Sequence, residues 1–98
     1  MVKMRVHAQT FAQSMIERLS YWLKYMDQLR GNHQGMIDMG NQLKDYGRRM
    51  RYRQELNEIG EYVEIAGDAL LGNLNTVGIR DAKAYLQEAV DQLAAMFS

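Results

Sequence analysis

The amino-acid sequence predicts an all-α domain, a small antiparallel bundle of three or four helices at about 6–30, 36–51, 53–72 and 79–97. Three observations predict it. Apolar residues recur at spacings of three and four along most of the chain, the period of one buried helix face. Proline is absent and eight glycines supply the punctuation, whereas a β domain with many turns usually recruits proline. Methionine, leucine, alanine, glutamine, glutamate and arginine are common while β-branched residues are few, and such a composition favours helix. Ninety-eight residues make one domain, 1–98, able to bury a single core without covalent staples.

The first helix has the clearest period. Phe11, Met15, Leu19, Trp22, Met26 and Leu29 form one stripe, flanked by Ile16 and Leu23, while Glu17, Arg18, Lys24, Asp27 and Gln28 mostly lie off it. Gly31-Asn32-His33-Gln34-Gly35 follows Arg30 as helix-ending punctuation. The stripe then resumes in heptad phase at Met36, Leu43 and Met50. A continuous helix would keep that phase at about 1 kcal/mol per internal glycine, so a break over 31–35 is preferred.

A further apolar series, Leu56, Ile59, Val63, Ala66 and Leu70, stands six residues after Met50 instead of seven. That slip displaces the stripe by about 120° and falls within Arg48–Arg53. Either a turn sits there or a long helix rotates its buried face. Gly72-Asn73-Leu74-Asn75-Thr76-Val77-Gly78 is rich in turn formers, with Asn75 or Thr76 as the cap of the last helix. That helix is expected to bury Ile79, Ala82, Leu86, Ala89, Val90, Leu93 and Phe97.

Charge is divided between the two halves of the chain. Residues 1–53 hold ten basic side chains against four acidic, a net of +6, and residues 54–98 hold two against eight, a net of −6. Two readings follow. In the preferred one the basic half folds against the acidic half, because Glu55, Glu58, Glu61 and Glu64 immediately follow the arginine run. In the other, each pole stays open and recognises a partner of opposite charge.

No signature of catalysis or cofactor binding is present. There is no cysteine, which excludes disulfides, thiolate metal sites and thiol nucleophiles. His7 and His33 have no local partner that would make either a general base, and neither follows a glutamate by three, as a di-metal bundle requires. Gly31–Gly35 lacks the Lys-Ser/Thr of a phosphate-binding loop. The expectation is a non-enzymatic protein with no cofactor and no metal. No stretch resembles a signal peptide or reaches membrane-spanning length, so a cytoplasmic protein without membrane contact is expected.

The size and helical pattern invite comparison with the WXG-type proteins of type VII secretion, but their motif residues are missing. Trp22 is followed by Leu23 and Lys24, with no glycine two places on, and the acid after Tyr85 is Glu88 at three residues where four is required.

The functional expectation is therefore a protein–protein interaction module, self-associating as a homodimer or binding another protein, and acting as an adaptor, inhibitor or assembly subunit. Its interface residues are Phe11, Met15, Leu19, Tyr21, Trp22, Tyr25, Met26 and Leu29, on the premise that one copy carries more apolar helix surface than it can cover. The alternative is contact with nucleic acid or an acidic partner through Lys44, Arg48, Arg49, Arg51, Tyr52 and Arg53. There arginines can neutralise phosphates and a tyrosine can stack on bases. Gly60 and Gly67, one heptad apart, either admit the close approach of a neighbouring helix or are surface glycines that the helix tolerates.

Overall fold

The protein is described by a computed structural model, which gives the backbone of residues 6–97 and the side chains of residues 13–96. Within that range it is all-α, with four helices and no strand.

The first helix, α1 (Val6–Tyr25), tightens into a single 3₁₀ turn over Met26–Leu29. The chain then reverses at Gly31, whose φ of +77° is a left-handed conformation that glycine adopts without a Cβ penalty. Asn32 caps the next helix by accepting a hydrogen bond from the Gly35 N–H at 2.9 Å. Because that cap satisfies a donor of the first turn, α2 (His33–Arg51) begins at 33, and the break is shorter than the 31–35 loop expected.

The slip in the apolar stripe marks a real turn. Tyr52 and Arg53 leave α2, a 3₁₀ turn covers Gln54–Leu56, and α3 runs Asn57–Gly72, so the third helix starts at 57 and not at 53. The Asn57 side chain donates to the Arg51 carbonyl at 3.0 Å, which holds a corner that has neither glycine nor proline. In the last loop Asn75 is the cap: its side-chain oxygen accepts from the N–H groups of Val77 at 2.9 Å and Gly78 at 3.2 Å. That bond pulls the start of α4 (Thr76–Phe97) forward from the expected 79.

Neighbours in sequence are neighbours in space: α2 lies along α3, and α3 along α4. The fourth helix also packs on α1. The ring closes between α1 and α2 through long side chains, the Trp22 indole meeting the Tyr46 ring edge-on at 5.3 Å. One core fills the centre, with Leu19, Met26, Leu43, Val63, Leu70, Leu86 and Leu93 wholly enclosed. Each such side chain contributes about 1.5–3 kcal/mol of burial. Met39 joins it, whereas Met96 is exposed on α4, and the side chain of Phe97, expected in the core, lies outside the described residues.

The α2–α3 seam brings two helix backbones into direct contact. Gly40 and Gly47 on α2 oppose Gly67 and Gly60 on α3 in antiparallel register. A Cβ added at Gly47 would stand 2.6 Å from both the Gly60 carbonyl oxygen and the Glu64 nitrogen, and one at Gly67 would stand 2.6 Å from the Gly40 carbonyl oxygen. The two backbones touch where each helix lacks side chains, so of the two readings of Gly60 and Gly67 the close approach is the one present. Their partners Gly40 and Gly47 share the same heptad spacing and were not singled out in the sequence. No helix among the described residues is long and apolar enough to cross a membrane.

Candidate interaction surface

Helix α1 has a buried side and an aromatic outer side. Met15, Leu19, Trp22, Met26 and Leu29 are buried in the bundle's own core, so one copy covers this part of the stripe, contrary to the premise drawn from the sequence. Only Trp22, 9% exposed, reaches the rim. The side chain of Phe11 lies outside the described residues. What faces outward is Tyr21, 64% exposed, stacked on the half-buried Tyr25 with ring centroids 6.1 Å apart and planes 11° from parallel.

The stack is held by its surroundings. One helical turn separates the two tyrosines, which sets their offset. On the same side the Arg18 guanidinium stands over the Trp22 ring, 5.9 Å from its centroid, a cation–π geometry. The edge of Tyr46 packs under Trp22. Burial pushes the Tyr46 phenol above its ordinary range, with Arg18 pulling the other way, so the phenol stays neutral at physiological pH. Tyr46 and Arg18 belong to this surface although the sequence did not single them out. The available signal was their placement: Arg18 stands four residues before Trp22, and Tyr46 lies one turn from both Leu43 and Met50.

The arginine run is drawn into the fold. Arg51 donates to the Glu64 carboxylate at 2.6 Å, and Arg48 approaches the same carboxylate at 3.6 Å. Glu64 is the least exposed acid of these pairs, its side chain 16% accessible. It raises the Arg51 pKa above its already high value through their hydrogen bond. Lys44 pairs with Asp68 at 3.0 Å and Arg49 with Asp45 at 3.1 Å. The Lys44, Arg48 and Arg51 pairs join basic α2 to acidic α3, as the preferred charge reading expects, while Arg49–Asp45 lies within α2. Tyr52, 85% exposed, projects at the corner between Arg51 and Arg53.

A second ionic link joins the ends of the ring. Lys83 on α4 donates to both oxygens of Asp27 at 2.9 Å, and Arg30 stands 4.0 Å away. The Lys83 hydrogen bond holds the Asp27 carboxyl below its usual range.

The outer face of α3 and α4 is different in kind. Glu55, Glu58, Glu61, Glu88 and Asp91 are exposed, and none comes within ion-pair distance of a cation among the described residues. Two shallow grooves lie beside Glu55, Glu58 and Glu61, one lined also by Ile59 and Met96 and one by Tyr62 and Ile65. His33 is exposed in the first turn of α2. The described residues hold no group of three or more potential metal ligands and no buried polar side chain. Compared with known proteins, the chain matches no family model, no curated protein and no solved structure.

Proposed function

We propose that this chain is a non-enzymatic helical interaction module that recognises a protein partner, a second copy of itself first of all, through the outer face of α1. One observation supports the reading above the others. Tyr21 is largely exposed and stacked on Tyr25, on a helix whose apolar side is already committed to the core. A tyrosine held by its own stack offers a large amphipathic contact area and loses little side-chain entropy on binding. Trp, Tyr and Arg are also the residues in which binding energy concentrates, and Arg18 and Trp22 adjoin it. Such a module serves as an adaptor, an inhibitor or a subunit of an assembly.

Sedimentation equilibrium across the micromolar range tests this reading, with Tyr21→Ser as the comparison. The expected result is a mass that rises with concentration and a Tyr21→Ser protein that associates at least about tenfold more weakly, the loss of one modest anchor. Strictly monomeric wild-type protein would refute the self-association.

A second reading, nucleic-acid binding at the α2–α3 corner, draws on the exposure of Tyr52 between arginines. It is weaker because Arg48, Arg49 and Arg51 already face carboxylates of the chain, and phosphates would have to displace them. Binding that falls steeply with salt, with a slope flattened in Arg49→Gln/Arg53→Gln protein, would favour it; salt-independent or absent binding removes it.

A further inference from the structure

From the unequal charge of the two outer faces we infer that the surface recognised by the Tyr21 side of α1 is the acidic α3–α4 face of a second copy, a head-to-tail pairing. The inference rests on the self-association reading above and names the partner surface.

The outer side of α1 sets its tyrosines between Arg18 and Lys24. Neither cation is paired with a carboxylate among the described residues; the recorded contact of Arg18 is with the Trp22 ring. Among the described residues of α1, Glu17 is the one acid, a turn before Tyr21. The α3–α4 face carries the opposite pattern: Glu55, Glu58, Glu61, Glu88 and Asp91 are exposed with no cation within ion-pair distance among the described residues, and Glu55, Glu58 and Glu61 border grooves that also expose Ile59, Met96, Tyr62 and Ile65. An exposed aromatic ring with flanking cations on one surface is complementary to grooves rimmed by carboxylates and partly lined by apolar side chains on the other.

Two-fold pairing of the α1 faces fits less well. It would set a face with two cations, Arg18 and Lys24, and one acid, Glu17, against a copy of the same face, since an isologous contact sets a surface against itself. It would also leave the five carboxylates uncovered. Head-to-tail contact matches unlike surfaces and leaves each copy with one face still open, so it adds further copies in a ring or a filament.

Two variants and their mixture decide the matter. Arg18→Ala/Tyr21→Ser removes the α1 surface, and Glu58→Lys/Glu61→Lys reverses the acidic one. All four positions are exposed, and far-ultraviolet circular dichroism confirms that each variant is folded. Wild-type protein should form species larger than dimers as its concentration rises. Each variant alone should stay monomeric, and an equimolar mixture should give a one-to-one dimer and nothing larger, dissociating as salt rises. If the mixture does not pair, or the Glu58→Lys/Glu61→Lys protein associates as the wild type does, the head-to-tail inference is overturned while self-association stands. A wild-type protein that never leaves the monomer overturns both. If a double variant fails to fold, single Tyr21→Gln and Glu61→Lys proteins, mixed in the same way, give the same readout at about a tenfold weaker effect.

Discussion

The α2–α3 seam makes a prediction in which the sign of the effect is diagnostic. Gly47 lies within α2, where replacing glycine by alanine in an exposed helix stabilises by about 1 kcal/mol through propensity alone. The structure opposes that gain. The added methyl would stand 2.6 Å from the Gly60 carbonyl oxygen and 2.6 Å from the Glu64 nitrogen. Both are backbone atoms of the facing helix, and they can yield only if α3 moves as a whole. Moving it strains the Arg51–Glu64 hydrogen bond at 2.6 Å and opens the core around Leu43 and Val63. Overpacking of this kind typically costs about 1–3 kcal/mol, occasionally more, so Gly47→Ala should lower stability by about 1–2 kcal/mol net of the propensity gain. In a domain this small that corresponds to a melting temperature lower by roughly 4–15 °C. Gly72→Ala is the control, because a Cβ there meets nothing within 4 Å; it should be neutral or slightly stabilising. Urea unfolding followed by circular dichroism at equal protein concentration measures both. A Gly47→Ala protein as stable as the wild type, or more stable, would refute the close helix approach on which the seam is built.

Three further substitutions probe separate parts of the fold. Glu64→Gln leaves Arg48 and Arg51 facing a neutral amide on a mostly covered side chain, and a loss of about 1 kcal/mol is expected in the same unfolding assay; an unchanged midpoint would show that the pair contributes nothing. Asn75→Ala removes the acceptor for the Val77 and Gly78 N–H groups and should cost about 1 kcal/mol, with hydrogen exchange rising first at the start of α4. Lys83→Met concerns pH. Lys83 lowers the folded-state pKa of Asp27, so the Asp27 contribution to stability is present above the ordinary carboxylate range and is lost as pH falls through the lowered value. In Lys83→Met protein the Asp27 carboxyl should titrate closer to its usual value by nuclear magnetic resonance, and the acid limb of the stability curve should flatten. An Asp27 titration unmoved by the substitution would exclude Lys83 as the cause.

Several features of this protein were legible in its residues alone. The three-four spacing from Met15 to Leu29 and from Leu56 to Leu70 specifies helices and their buried sides, because a helix face repeats every 3.6 residues whatever lies opposite. The six-residue slip between Met50 and Leu56 located a break in the stripe within Arg48–Arg53 for the same reason, and the structure decided that the break is a turn at Tyr52–Arg53 and not a long helix rotating its buried face. The neighbouring blocks of base and acid anticipated the pairing of Lys44, Arg48 and Arg51 with α3, since two helices joined by a short turn usually lie side by side.

Tertiary structure decided the rest. Periodicity says that a side chain is turned inward, not whether the inside belongs to one copy or two, so only the packed bundle could show that Met15, Leu19, Trp22, Met26 and Leu29 are enclosed in the core of their own chain. The same packing determined which aromatic was left out: Tyr21 faces outward because Trp22, one residue on, turns in against Tyr46. The glycines behave alike in sequence and differently in space. Gly47 and Gly72 are both helix residues, yet one touches a backbone and the other open solvent. The difference lies in what approaches them across the bundle, and distance in three dimensions is not written at any single position of the chain.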